Sequence, residues 1–87
     1  MRPKNPIHPG EMLLEEFLKP SGTSQTAFSK KLGWTLAKLN EVINGKRGVT
    51  ADSALDIASA TKTSPELWMQ LQMYVELKKA EENKKLA

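Results

Sequence analysis

Apolar residues recur along this chain at intervals of three and four in five stretches, each bounded by residues that start or stop a helix. From Gly10 to Lys19, Leu13, Leu14, Phe17 and Leu18 share one face, with Glu11, Glu15 and Glu16 opposite or flanking and Pro20 and Gly22 as the stop. Ser24 opens a second helix as its N-cap, with Phe28 and Leu32 on the buried side, and Gly33 supplies the left-handed residue that ends it. Trp34 is an apolar plug in the turn that follows. Thr35 caps a third helix whose stripe is Leu39, Val42 and Ile43, and Gly45 closes it. Thr50 caps a fourth, to about Thr61, with Ala51, Ala54, Leu55 and Ala58 inward; side chains that small imply close helix approach and no ligand cavity. Ser64, Pro65 and Glu66 start a fifth, which runs to about Lys79 or beyond. The pattern predicts an all-α chain. Residues 1–9, with three prolines, form an extended N-terminal arm, 10–79 the helical domain and 80–87 a charged tail that frays.

The middle of the pattern is the most specific part. A capped helix, small Ser29 at a close crossing, Gly33 four residues later, Leu39 six after that and Val42 three further on make the order of a tight two-helix corner, the DNA-binding helix-turn-helix. Caps and glycine stops occur in any helical protein, but their combination at this spacing favours DNA binding. On the second helix of the corner, Leu36, Ala37, Lys38, Asn40, Glu41 and Asn44 fall outside the apolar stripe, where side chains can reach base edges or phosphates.

Charge sharpens that reading. Of 87 residues, 13 are Lys or Arg and 10 Asp or Glu, yet residues 21–50 hold Lys30, Lys31, Lys38, Lys46 and Arg47 against Glu41 alone. The positive excess coincides with the corner, as a surface facing phosphates requires. Other chemistry is scarce. With no cysteine and a single histidine, His8, there is no thiolate nucleophile and no metal-ligand cluster, so neither a metal nor a cofactor is expected and an enzyme is the weakest option. His8 is read as solvated or locally capping. No run approaches the ~20 apolar residues of a membrane span, and no secretory leader is read, so a bacterial cytoplasmic location is expected.

Three blocks, HPGEMLLEEFLKP (8–20), the SQ…KKLG…LNEVINGKRGVTADSALDIA stretch (24–58) and TSPELWMQLQMYVEL (63–77), resemble the HigA antitoxins, within the broader lambda-repressor-like group of the XRE type. The first and last are the family-specific ones. The resemblance implies a five-helix, dimeric bundle that binds its own double-stranded operator and represses it. It also implies a partner toxin encoded alongside, a small mRNA-cleaving nuclease of the RelE-like kind. Carried over, Leu36, Ala37, Asn40 and Glu41 are base-reading positions, and Gln25, Thr35, Lys38, Asn44, Lys46 and Arg47 phosphate-binding ones. Many relatives have Gln or Ser where this chain has Leu36 and Ala37. Apolar side chains meet thymine methyls but make no bidentate hydrogen bonds, which shifts weight to Asn40, Glu41 and DNA shape.

Two further surfaces follow. The last helix carries more apolar residues than one buried face needs: beyond the stripe Leu67, Trp68, Leu71 and Val75 come Met69, Met73, Tyr74 and Leu77. Met69, Met73 and Leu77 are therefore placed at a homodimer contact. Glu11, Glu15 and Glu16, close together on the first helix, suit a basic toxin. A solitary regulator without a toxin and a helical adaptor that binds only protein are the alternatives.

Overall fold

The computed structural model describes residues 2–86, which form five helices and no strand. Met1 and Ala87, the outer ends of the expected arm and tail, lie outside the described residues. Helix α1 is α-helical over Pro9–Leu13, π-helical over Leu14–Leu18 and α-helical again over Lys19–Ser21. It is followed by α2 (Gln25–Leu32), α3 (Leu36–Ile43), α4 (Ala51–Thr61) and α5 (Pro65–Leu86). Residues 80–86, expected as a frayed tail, instead continue α5, since Ala, Glu and Lys are strong helix formers.

Local chemistry sets most of the boundaries. Ser24, Thr35 and Thr50 stand in extended backbone ahead of their helices, and each hydroxyl accepts a backbone N–H three residues on. Ser64 does the same for Leu67 at 3.3 Å. Gly33 and Gly45 take left-handed φ values of 75° and 73°. His8 caps α1, its Nδ1 accepting the Gly10 N–H at 3.0 Å with Pro9 in the first helical position. The helix thus begins one residue before the expected Gly10, and residues 2–8 are free of helix and strand.

Pro20 does not stop α1, contrary to the sequence reading. A proline lacks the N–H for the next rung, and its ring presses on the carbonyl four residues back. Here the preceding turn is widened, with the Lys19 N–H reaching the Leu14 carbonyl five residues back, and the chain passes through Pro20 to end at Gly22 (φ 68°). Ser21 Oγ, 2.7 Å from the Phe17 carbonyl, takes up an acceptor in that disturbed turn.

Leu13, Leu18, Phe28, Leu32, Leu39, Val42, Ile57 and Trp68 build the centre of one core. Trp68 is fully buried, its ring 5.7 Å from that of Phe17 and its Nε1 donating to Thr63 Oγ1 at 2.7 Å. Helix α1 crosses α3 at Gly10, where a Cβ would lie 1.8 Å from the Val42 carbonyl oxygen; only glycine allows that approach. Helix α4 departs from expectation in phase. Ser53, Ala54, Ile57 and Ala58 face inward, whereas Ala51 is exposed and Leu55 is 57% exposed. Apolar residues lie on two overlapping stripes of that helix, and its neighbours rather than its periodicity choose between them. Helix α5 buries Trp68 and Val75, half-buries Leu67, Leu71 and Tyr74, and leaves Met69, Met73 and Leu77 exposed. No helix among the described residues is long and apolar enough to cross a membrane.

Candidate nucleic-acid interface

The corner forms as the spacing requires. Ser29, small and buried, sits in the crossing of α2 and α3, its hydroxyl donating to the Thr26 carbonyl at 2.8 Å. Trp34 fills the turn, nearly buried, and donates from Nε1 to Asp56 Oδ2 on α4 at 2.9 Å. With Leu39, Val42 and Ile43 turned into the core, the 100° step of an α-helix turns Ala37, Asn40, Glu41 and Asn44 away from it, whereas Leu36 lies at the edge of the apolar stripe in the open first turn. Leu36, Ala37, Asn40 and Asn44 are exposed and Glu41 is half-buried. Of the four expected base-reading residues, Ala37, Asn40 and Glu41 share the outward face, and Leu36 is exposed at its edge.

That face is braced. Asn40 Nδ2 lies 3.4 Å from Gln25 Oε1, and Asn44 Nδ2 donates to Asn40 Oδ1 at 3.1 Å. A carboxamide has two N–H donors and two acceptor lone pairs, so Asn40 keeps one donor and one acceptor unspent. That remainder matches the N7 and N6 edge of adenine. Gln25, at the start of α2, links the two helices of the corner through the same contact.

The cationic residues are held in different ways. Lys38 lies with its ammonium 4.3 Å from the Trp34 ring centroid, a cation–π contact that fixes it beside the turn. Thr35, whose Oγ1 accepts the Lys38 N–H at 3.1 Å, flanks it. At the other end, the Lys46 and Arg47 N–H groups donate to the Glu41 carbonyl at 2.9 and 3.2 Å, wrapping the loop against the end of α3. Arg47 Nη2 folds back on Glu41 Oε1 at 3.2 Å. Both partners are nearly half-exposed, so the pair is worth at most about 1 kcal/mol and yields readily to a phosphate.

Three contributors escaped the sequence reading: Gly10, which seats α1 on α3, the Lys38–Trp34 stack, and Gln72 of α5, which reaches the loop after α3. The stack had a visible signal in the four-residue spacing of Trp34 and Lys38; the other two depend on contacts distant in sequence. The remaining expected surfaces lie elsewhere. Glu11, Glu15 and Glu16 are exposed on α1, lining a shallow cleft with Ile7 and Met12, and Glu15 is paired to Lys19 at 2.7 Å. Leu55 joins Met69 in a mostly apolar cleft between α4 and α5.

The chain resembles known proteins over most of its length. The family model described as helix-turn-helix matches residues 14–68. "Virulence-associated protein I" of Dichelobacter nodosus is 41% identical over 78 residues, 90% of this chain and 72% of that protein. "Antitoxin HigA-1" of Vibrio cholerae serotype O1 is 37% identical over 75 residues, 85% of this chain and 70% of the relative. Among solved structures, Pseudomonas aeruginosa antitoxin HigA with the higBA promoter superposes with a TM-score of 0.87 at 35% identity, covering 94% of this chain and 90% of that one.

Proposed function

The chain belongs to the HigA antitoxin family of helix-turn-helix proteins, and we propose that it binds its own operator as a homodimer, represses that operon and neutralises a small toxin encoded beside it. The observation that carries the DNA-binding part is the outward face of α3. Ala37, Asn40 and Glu41 stand together there with Leu36 exposed at the edge, and cations lie at both ends, Lys38 at the first turn and Lys46 and Arg47 after the last. In this reading α3 enters the major groove, with Asn40 on adenine, Glu41 accepting from cytosine N4 and Leu36 and Ala37 against thymine methyls. Gln25, Thr35, Lys38, Asn44, Lys46 and Arg47 hold the backbone. The helix-turn-helix neighbour solved with promoter DNA supports it.

Two-fold pairing would seat two such faces in successive turns of the groove, about 34 Å apart. The exposed Met69, Met73 and Leu77 of α5, widened by Leu55, supply an apolar surface for the second copy. The toxin contact falls on the opposite chemistry, Glu11, Glu15 and Glu16 around Ile7 and Met12, which suits a basic RNA-cleaving partner of the RelE-like kind. Nothing in this reading calls for a cofactor or a metal.

Co-expression tests the antitoxin part. A neighbouring small gene that halts growth alone should be harmless beside this chain, and charge reversal of Glu11, Glu15 and Glu16 should restore toxicity while operator binding persists. Rescue unaffected by the triple change would remove the surface assignment. A neighbourhood without any toxic gene would leave a solitary regulator.

A further inference from the structure

The loop between α3 and α4, residues 44–50, is fastened at two points. On the α3 side the Glu41 carbonyl takes the Lys46 and Arg47 N–H groups. On the other side Val49, 4% exposed, is inserted in the core, and its N–H donates to Gln72 Oε1 at 2.8 Å in a buried bond spanning 23 residues of sequence. Gln72 is itself only 7% exposed, in a helix whose neighbouring inward positions are Trp68 and Val75. Burying a carboxamide is unfavourable unless it is hydrogen-bonded, and a leucine or methionine would fill the same space without that penalty. What the amide supplies is an acceptor for Val49. The fit is close as well: a Cβ on Gly48 would lie 3.0 Å from Gln72 Nε2 and 3.2 Å from its Cδ, so the amide lies against the loop backbone beside Arg47.

We propose that Gln72 is a positioning residue for DNA binding: through Val49 and Gly48 it holds the segment that presents Lys46 and Arg47 to the phosphates. This rests on the DNA-binding reading above. It makes α5, whose exposed side carries Met69 and Met73, the anchor of the loop at the edge of the reading face. A loop fixed in advance binds without the loss of freedom that a slack one would suffer on contact.

Gln72→Met keeps length and apolar bulk and removes the acceptor. Its binding to mixed-sequence duplex DNA, which reads phosphate contacts alone, is measured across a salt series, together with amide hydrogen exchange at Val49, below the melting temperature of each variant. The expected result is affinity about tenfold weaker, a salt slope smaller by about one and Val49 exchange at least about tenfold faster. In a Lys46→Ala, Arg47→Ala background the same change should weaken binding less than about twofold, because the groups it positions are gone. An equal loss in both backgrounds, or unchanged affinity and slope in the first, overturns the proposal. If Gln72→Met does not fold, Gly48→Ala displaces the same amide and should give the same pattern, in smaller measure. Should the unaltered chain bind no duplex even at low salt, the DNA-binding reading falls, and unchanged Val49 exchange in the variant would then overturn the tether separately.

Discussion

Replacing Gly10 by alanine adds one methyl group at the crossing of α1 and α3 and should be among the most damaging small changes in the chain. The new Cβ would fall 1.8 Å from the Val42 carbonyl oxygen, 2.6 Å from the Val42 carbonyl carbon and 2.8 Å from Ile43 Cα, all backbone atoms of the reading helix. Real Cβ contacts stay beyond 3.0 Å, so the two backbones must part by at least about 1.2 Å. No rotamer can relieve this, because neither side of the contact is a flexible side chain. Overpacking of this kind costs about 1–3 kcal/mol, and a rigid backbone neighbour puts the change at the upper end. For a domain of this size that lowers the melting temperature by roughly 12 °C or more. Gly22→Ala is the matched control: nothing lies within 4 Å of its Cβ, and only the left-handed φ of 68° is strained, about 1 kcal/mol. Thermal and urea unfolding of the two variants, followed by circular dichroism, makes the comparison. A Gly10→Ala protein as stable as the parent, or no less stable than Gly22→Ala, would refute the close approach of α1 to the reading helix.

Three further outcomes follow from particular residues. Burial, then the Lys79 ammonium, lowers the His8 pKa below its ordinary value, with Glu11 opposing; the unfolded chain therefore holds the proton more tightly. Stability should be full above about pH 6.5 and fall as the pH drops from there toward the lowered value, and His8→Asn, which keeps a cap, should flatten that part of the urea-midpoint profile. Lys62 ends α4 in a left-handed conformation (φ 57°), so Lys62→Gly should raise the unfolding free energy by about 0.5–1 kcal/mol, and a fall in the urea midpoint would contradict the strain assigned there. In binding-site selection, Asn40→Ala should relax the preference at one base pair, whereas Arg47→Ala should keep the parent's consensus and reduce the salt slope by about one.

What could be read in the sequence was what local chemistry decides. Ser24, Thr35, Thr50 and Ser64 cap helices because a hydroxyl at that place meets N–H groups left open by the helix itself, and Gly33 in the corner and Gly45 after α3 turn left-handed where a helix ends. The stripe of Leu39, Val42 and Ile43 set which side of α3 is buried, and so left Ala37, Asn40 and Asn44 exposed. Features set by distant neighbours were not legible. Pro20 is a stop by local rule, but a widened turn five residues long carries the helix past it. Ala51 and Leu55 fit helical spacing as well as Ser53 and Ile57 do, and packing against the rest of the bundle chose the latter. Gln72 reads as a surface amide until Val49 is found beside it, and the necessity of Gly10 appears only with Val42 in place.

The most direct test of the account compares affinities for two duplexes at about 0.15 M salt, one carrying the DNA immediately upstream of the chain's own operon and one a scrambled sequence of the same composition. Anisotropy titration with the unaltered protein should show the upstream duplex bound at least about a thousandfold more tightly, with the protected site a near-palindrome whose half-sites lie about one helical turn apart. Equal affinity for the two duplexes would contradict the claim that the outward face of α3 reads sequence.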